Sequence, residues 1–157
     1  MDTSTGTIDK RLAELGLSLP EGPLTPTLFL SAVRTGNLLF VSGHISRKDG
    51  VIIKGKVGRD LTLEQAQEAA RHATLELLAG VKRTLGSLDR VRRVVKILGM
   101  VNSTETFDQQ HIVMHAASQL LLDVFGDPVG RHARSAVGMA QMPHGCALEI
   151  EAVLEVE

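Results

Sequence analysis

The run Val91-Arg92-Arg93-Val94-Val95-Lys96-Ile97-Leu98-Gly99-Met100-Val101 constrains this chain more than any other stretch. Under strict alternation Val95, Ile97, Gly99 and Val101 share one side and Val94, Leu98 and Met100 the other, so both faces of the strand are mostly apolar. Such a strand belongs in the middle of a sheet, with cover above and below. Two segments of helical period flank it. Residues 61–86 place Leu63, Ala66, Ala70, Ala73, Leu77, Val81 and Leu85 on one stripe, and residues 105–125 do the same with Phe107, Met114, Ala117, Leu121 and Val124. Both helices would cover a single sheet face. The other face is left for a second copy of the chain, which predicts a homo-oligomer closed around it.

The remaining elements follow in chain order. Ile8, Leu12 and Leu15 mark a short helix stopped by Gly16, and residues 20–26, with three prolines, form a linker. Residues 29–34 and 38–42 read as strands joined at Gly36-Asn37, with Ser42-Gly43-His44 ending the second on exposed backbone. Lys48-Asp49-Gly50 turns the chain again, and Val51-Ile52-Ile53 is too short to assign. Thr62 and Gln65 match a capping box for the first long helix, and Gly86 ends it. Gly126-Asp127-Pro128 stops the second. Arg134, Ala136, Gly138 and Ala140 then alternate along one run, and Leu148, Ile150, Ala152, Leu154 and Val156 along the next, with Pro143-His144-Gly145 between them as the turn of a C-terminal hairpin. The order β-β-(β)-α-β-α-β-β is that of an α+β layer fold.

Composition removes several function classes. Seventeen basic and 18 acidic residues leave a net charge of -1, so no global field draws nucleic acid or an anionic membrane, and the cluster Arg90, Arg92, Arg93 reads as a solvated strand end. With no Trp, no Tyr and four Phe, base-stacking platforms are scarce. Cys146 is the single cysteine, the first residues carry no secretory pattern, and no window has the length of a membrane span; a cytoplasmic protein is expected. No phosphate loop, dinucleotide fingerprint or Gly-x-Ser-x-Gly elbow is present, so no cofactor is expected. His111 and His115 have the spacing of a metal pair but lack the intervening glutamate, and no metal is expected there. Cys146 beside His144 reads as a bystander thiol.

Arg134 stands among Ala133, Ser135, Ala136 and Val137 with no acid beside it in the chain. A planar, permanently charged fork in such company suits a small carboxylate. It equally suits a structural pair with Glu149 or Glu151 across the hairpin, and spacing leaves both open. Ser42-Gly43 and Gly130 are the places where backbone could approach a ligand.

The residues Arg34-Thr35-Gly36-Asn37-Leu38-Leu39-Phe40-Val41-Ser42-Gly43-His44, Val124-Phe125-Gly126, His132-Ala133-Arg134-Ser135-Ala136-Val137-Gly138 and Glu149-Ile150-Glu151 resemble the Rid (YjgF) family, also labelled endoribonuclease L-PSP. The similarity runs from about Pro26 to the C-terminus, and the wording around Arg134 is similar to a longer, less characterised branch. The resemblance implies an arm with a short helix over 1–26 and a domain over 27–157. It implies a chorismate-mutase-like β-β-α-β-α-β-β fold, two helices on one face of a mixed sheet, assembled as a homotrimer with sheets facing inward and three clefts between subunits.

The family's archetype hydrolyses small enamines and imines to 2-keto acids and ammonia. By that likeness Arg134 is the clamp for a small carboxylate-bearing metabolite and Glu149 the catalytic base on water, with Ser42 and Gly43 lining the cleft. Three other cleft positions depart from the archetype: its tyrosine falls at Phe29, its asparagine at His115 and its cysteine at Ala136. The alternative expectation is a non-catalytic trimer that binds a small carboxylate as a sensor or regulator. A third, ribonuclease, rests on the family label alone.

Overall fold

The computed structural model describes residues 6–21 and 28–157; the expected linker's residues 22–26, and with them the boundary at 26, lie outside the described residues. The longest helix, α2 (Leu63–Leu85), starts where the capping box was expected. Thr62 Oγ1 accepts from the Gln65 backbone N–H at 3.2 Å, and Gln65 Oε1 accepts from the Thr62 N–H at 2.9 Å, satisfying two of the helix's orphan donors. Gly86, at φ 83, closes the other end in the left-handed conformation. The alanine stripe Ala66, Ala69, Ala70 and Ala73 is fully buried and brings the helix close to the sheet.

Helix α3 spans Gln110–Phe125 and so begins later than its periodic pattern suggests. Residues 105–109 are held as a loop, because Thr104 N–H donates to Val57 O at 3.0 Å and Phe107 N–H to Thr104 O at 3.2 Å. Phe107 keeps its place against the core from that loop, which explains why it fits the helical period without being helical. The short helix α1 (Thr7–Glu14) packs as a third helix, where two were expected on the face. Asp89 accepts from the Thr7 and Ile8 N–H groups at 2.9 and 2.8 Å, and Asp9 pairs with Lys82 at 2.7 Å.

Seven strands are present among the described residues: β1 (Ala32–Thr35), β2 (Leu38–Ile45), β3 (Arg47–Lys48), β4 (Val51–Ile52), β5 (Val91–Asn102), β6 (Ala133–Met139) and β7 (Leu148–Val156). Five form one mixed sheet in the order β1-β2-β7-β5-β6, with only β5 and β6 parallel. The expected C-terminal hairpin is therefore not formed. Helix α3 carries the chain back across the sheet, so β6 emerges parallel to β5. The chain then steps over the end of β5, where Asn102 N–H donates to Ala147 O and Asn102 Nδ2 to Cys146 O, and β7 pairs on β5's far side. Two further expectations shift. The strand begun at Phe29 starts at Ala32, and β2 runs on through Gly43 and His44 to Ile45 across a bulge.

Strand β5 is central, as its composition demands, but its alternation is broken. Register shifts between Val91 and Arg93 and between Val94 and Lys96 place Val94 with Ile97, Gly99 and Val101 on the helix side, where strict alternation had put Val95. Lys96, Leu98 and Met100 point to the open face. That face also carries Val33, Phe40 and Val137, which are 53%, 47% and 42% exposed. It is an apolar surface without cover inside one chain.

Candidate active site

Arg134 lies opposite Ile97 on β5, so its side chain leaves the edge strand on the helix side. There its Nη1 donates to Ser118 Oγ at 3.0 Å and its Nη2 to His111 O at 3.2 Å, both on α3. Neither Glu149 nor Glu151 pairs with it, so the structural alternative read from the sequence is not realised. No ion pair reaches this guanidinium among the described residues. Burial alone pulls its pKa down from the ordinary arginine value, and it remains a cation.

Beside it, His132 Nδ1 lies 2.7 Å from Gly130 O and Nε2 lies 3.0 Å from Ser118 Oγ. A carbonyl only accepts, so Nδ1 carries the hydrogen, and the neutral ring's Nε2 accepts from the Ser118 hydroxyl. Burial lowers the His132 pKa, the hydrogen bond to Gly130 opposes this, and the charge of Arg134 lowers it further. Ala136 follows on the same side of β6, opposite Gly99. His115 is exposed on α3, its ring meeting His111 edge-on at 6.1 Å. The sequence reading missed Ser118 and His132. The signals were present: His111, His115 and Ser118 follow helical spacing on one stripe, and His132, Arg134 and Ala136 alternate.

The other expected residues gather on β2 and β7. Glu149 sits between buried Leu148 and Ile150 and opposite Met100 and Ile45, so it faces the open side. The β2 bulge falls at Ser42-Gly43, and any side chain at Gly43 would overlap the Glu149 carboxylate. Ser42 N–H donates to Ser31 O at 2.9 Å and Ser42 Oγ to Leu30 O at 2.7 Å. These bonds tie down the segment bearing Phe29, which is 65% exposed. Burial raises the Glu149 pKa above the ordinary carboxylate value, and the neighbouring charge of Glu151 adds to the rise. Cys146 is buried, its thiol pushed up to about 11 by burial and then by the charge of Glu149, so it is inert as a nucleophile at neutral pH.

The expected site residues thus fall into two groups on opposite faces of one sheet. Arg134, Ala136 and His115 stand at the β6–α3 edge; Gly43 and Glu149 meet on the open side of β2 and β7, with Ser42 in the adjoining bulge and exposed Phe29 in the segment that Ser42 holds. Within one chain β5 and the thickness of the sheet separate the guanidinium from the carboxylate. A cavity of about 720 Å³ lies elsewhere, between α1 and α2, lined by Asp9, Leu12, Leu17, Ala79, Lys82 and Arg83 among others. It holds none of the expected site residues, and its chief ion pair, Asp9–Lys82, is internally satisfied. No helix among the described residues is long and apolar enough to cross a membrane.

Residues 9–153 match the profile of the family described as "YjgF/chorismate mutase-like, putative endoribonuclease". Protein TCP17 of Trypanosoma cruzi is 42% identical over 154 residues, which cover 98% of this chain and 96% of that protein. Among solved structures, Atu1372 of Agrobacterium tumefaciens, a protein of unknown function, has a TM-score of 0.88 at 41% identity, over 96% of this chain and 93% of that one. A Shewanella oneidensis protein with the same endoribonuclease description has a TM-score of 0.90 at 28% identity, over 96% of this chain and 100% of that one. Escherichia coli TdcF, solved with bound serine, shares the fold at 20% identity, with a TM-score of 0.58 over 89% of this chain and 99% of its own.

Proposed function

For a chain that belongs to the YjgF/chorismate mutase-like (Rid) family, we propose hydrolytic deamination of small enamine or imine intermediates to 2-keto acids and ammonia, in a cleft shared between subunits of a homotrimer. The observation that carries this reading is the placement of Arg134 and Glu149 on opposite sheet faces. One chain cannot close both on one small molecule. A neighbouring copy whose β6–α3 edge meets the open face does so, and it also covers Phe40 and Val137. The fold shared with serine-bound TdcF supports a ligand of amino-acid size.

In that cleft the free N–H groups of Arg134 hold the substrate carboxylate in two parallel hydrogen bonds, fixing the adjacent C=N carbon. Glu149, its pKa raised by burial and by Glu151, is a stronger base than an ordinary carboxylate. It takes a proton from water as the oxygen adds to the imine carbon. The nitrogen receives that proton; Glu149 then takes the hydroxyl proton of the resulting carbinolamine and passes it to the amine as the C–N bond breaks, so that ammonia leaves and a 2-keto acid remains. Phe29 supplies an apolar wall in place of a hydroxyl, and His115 stands at the clamp side.

The test generates imines in situ with an amino-acid oxidase and follows keto-acid release in competition with semicarbazide. Wild type accelerates release. Arg134→Ala and Glu149→Gln each reduce the acceleration by about a hundredfold or more, the range for positioned acid–base groups. If wild type gives no acceleration across a panel of side chains, yet a keto acid binds and Arg134→Ala abolishes binding, the protein is a carboxylate-binding trimer instead.

A further inference from the structure

We propose that Ser118 and His132 are positioning residues that set the Arg134 guanidinium for carboxylate capture, an inference that rests on Arg134 being the clamp. The groove between β6 and α3 offers Arg134 no carboxylate to define its orientation. Two of its five N–H donors are spent on protein acceptors, Ser118 Oγ and His111 O, and both lie on the α3 side. Three donors of the planar fork are left uncommitted to these two acceptors.

Whether Ser118 presents a lone pair to Arg134 depends on where its own hydrogen goes. A serine inside a helix ordinarily donates back to the carbonyl one turn earlier. Here the hydroxyl has a competing acceptor, His132 Nε2 at 3.0 Å. That nitrogen is free to accept because Gly130 O takes the hydrogen on Nδ1 at 2.7 Å. The result is a chain of single polarity: Arg134 donates to Ser118, Ser118 donates to His132, and His132 donates to a backbone carbonyl. Each link fixes the next, and the last is anchored in the main chain. Gly130 is itself buried, with its N–H on Gly126 O at 2.7 Å and no room for a side chain against the α3 backbone at Leu121.

The experiment measures the affinity of 2-oxobutyrate, a small keto acid, by isothermal titration calorimetry. Ser118→Ala, which a helix accepts readily, weakens binding by about tenfold, the loss of one hydrogen bond to a charged group. Ser118→Thr keeps the hydroxyl and restores affinity to within about twofold of wild type. His132→Leu weakens binding in the same direction. The double variant Ser118→Ala/His132→Leu is no weaker than Ser118→Ala alone, because both changes break one chain. In turnover the single variants raise KM and leave kcat nearly unchanged. Unaltered binding in Ser118→Ala, with binding lost in Arg134→Ala, overturns the relay and leaves the clamp standing. Fully additive losses also overturn it. If wild type does not bind the probe, the clamp reading fails, and nitrogen-15 NMR of the imidazole decides the relay alone. His132 in the Nδ1–H tautomer, perturbed in Ser118→Ala, supports it; the Nε2–H tautomer overturns it.

Discussion

His44 shows how much a single side chain depends on its setting. It points from β2 toward α2, where Gly80 leaves room for the ring that any side chain would fill. Its Nδ1 lies 2.7 Å from Ser42 O, so the neutral ring donates there. Burial depresses its pKa most, the hydrogen bond to Ser42 opposes this, and the charges of Arg83 and Arg47 lower it further. A histidine depressed in the folded state is protonated first in the unfolded chain, whose pKa is about 6.5. Stability is therefore fully present above that pH and declines as pH falls from there toward the folded value. His132 adds a slope of the same sign. Thermal denaturation between pH 7.5 and 5.5 should show the decline, and His44→Gln should flatten part of it; an unchanged slope refutes the assignment. Residue type and apolar neighbours singled out Arg134 in the sequence, whereas the role expected of Glu149 came only from the family resemblance. Ser118 and His132 were not singled out, although each shares a stripe with an expected site residue, because the contact that joins them links α3 to β6 and the spacing within either element does not reveal it.

Among the elements, α2 was the most legible, since its capping box, apolar stripe and terminal glycine are all local. Thr62→Ala removes the bond to the Gln65 N–H and should cost about 1 kcal/mol of stability, seen as a lower denaturation midpoint with an unchanged slope. A cost near zero would mean that the N-terminal turn is held by packing alone. The C-terminal strands were misread for the opposite reason. Nearness in sequence and a turn of Pro143-His144-Gly145 suggested a hairpin, while the pairing is decided by β5, which offers each strand a long apolar neighbour on its own side. The bulges in β5 were likewise hidden, because a register shift moves Val94 across the sheet without leaving a compositional mark.

At the scale of the whole molecule, the second apolar face of β5 was legible from alternation alone and is present as an uncovered surface. The proposed trimer makes each cleft from the Arg134 edge of one copy and the Glu149 face of the next. Arg134→Ala and Glu149→Gln chains are then both inactive alone, yet unfolded and refolded together in equal amounts they should regain about a quarter of wild-type activity, since random assembly gives each cleft one chance in four of two intact halves. Recovery of none, with mixed assemblies verified by mass spectrometry, would place both residues in a cleft of one chain and refute the shared site.

The proposed division of the site, one half on each face of the sheet, also has an evolutionary reading. After gene duplication, one descendant can lose the β6 edge chemistry and the other the β7 face chemistry, each loss masked by the partner copy. Once both losses have occurred neither descendant works alone, and a homomer has become an obligate heteromer without a single new contact being invented.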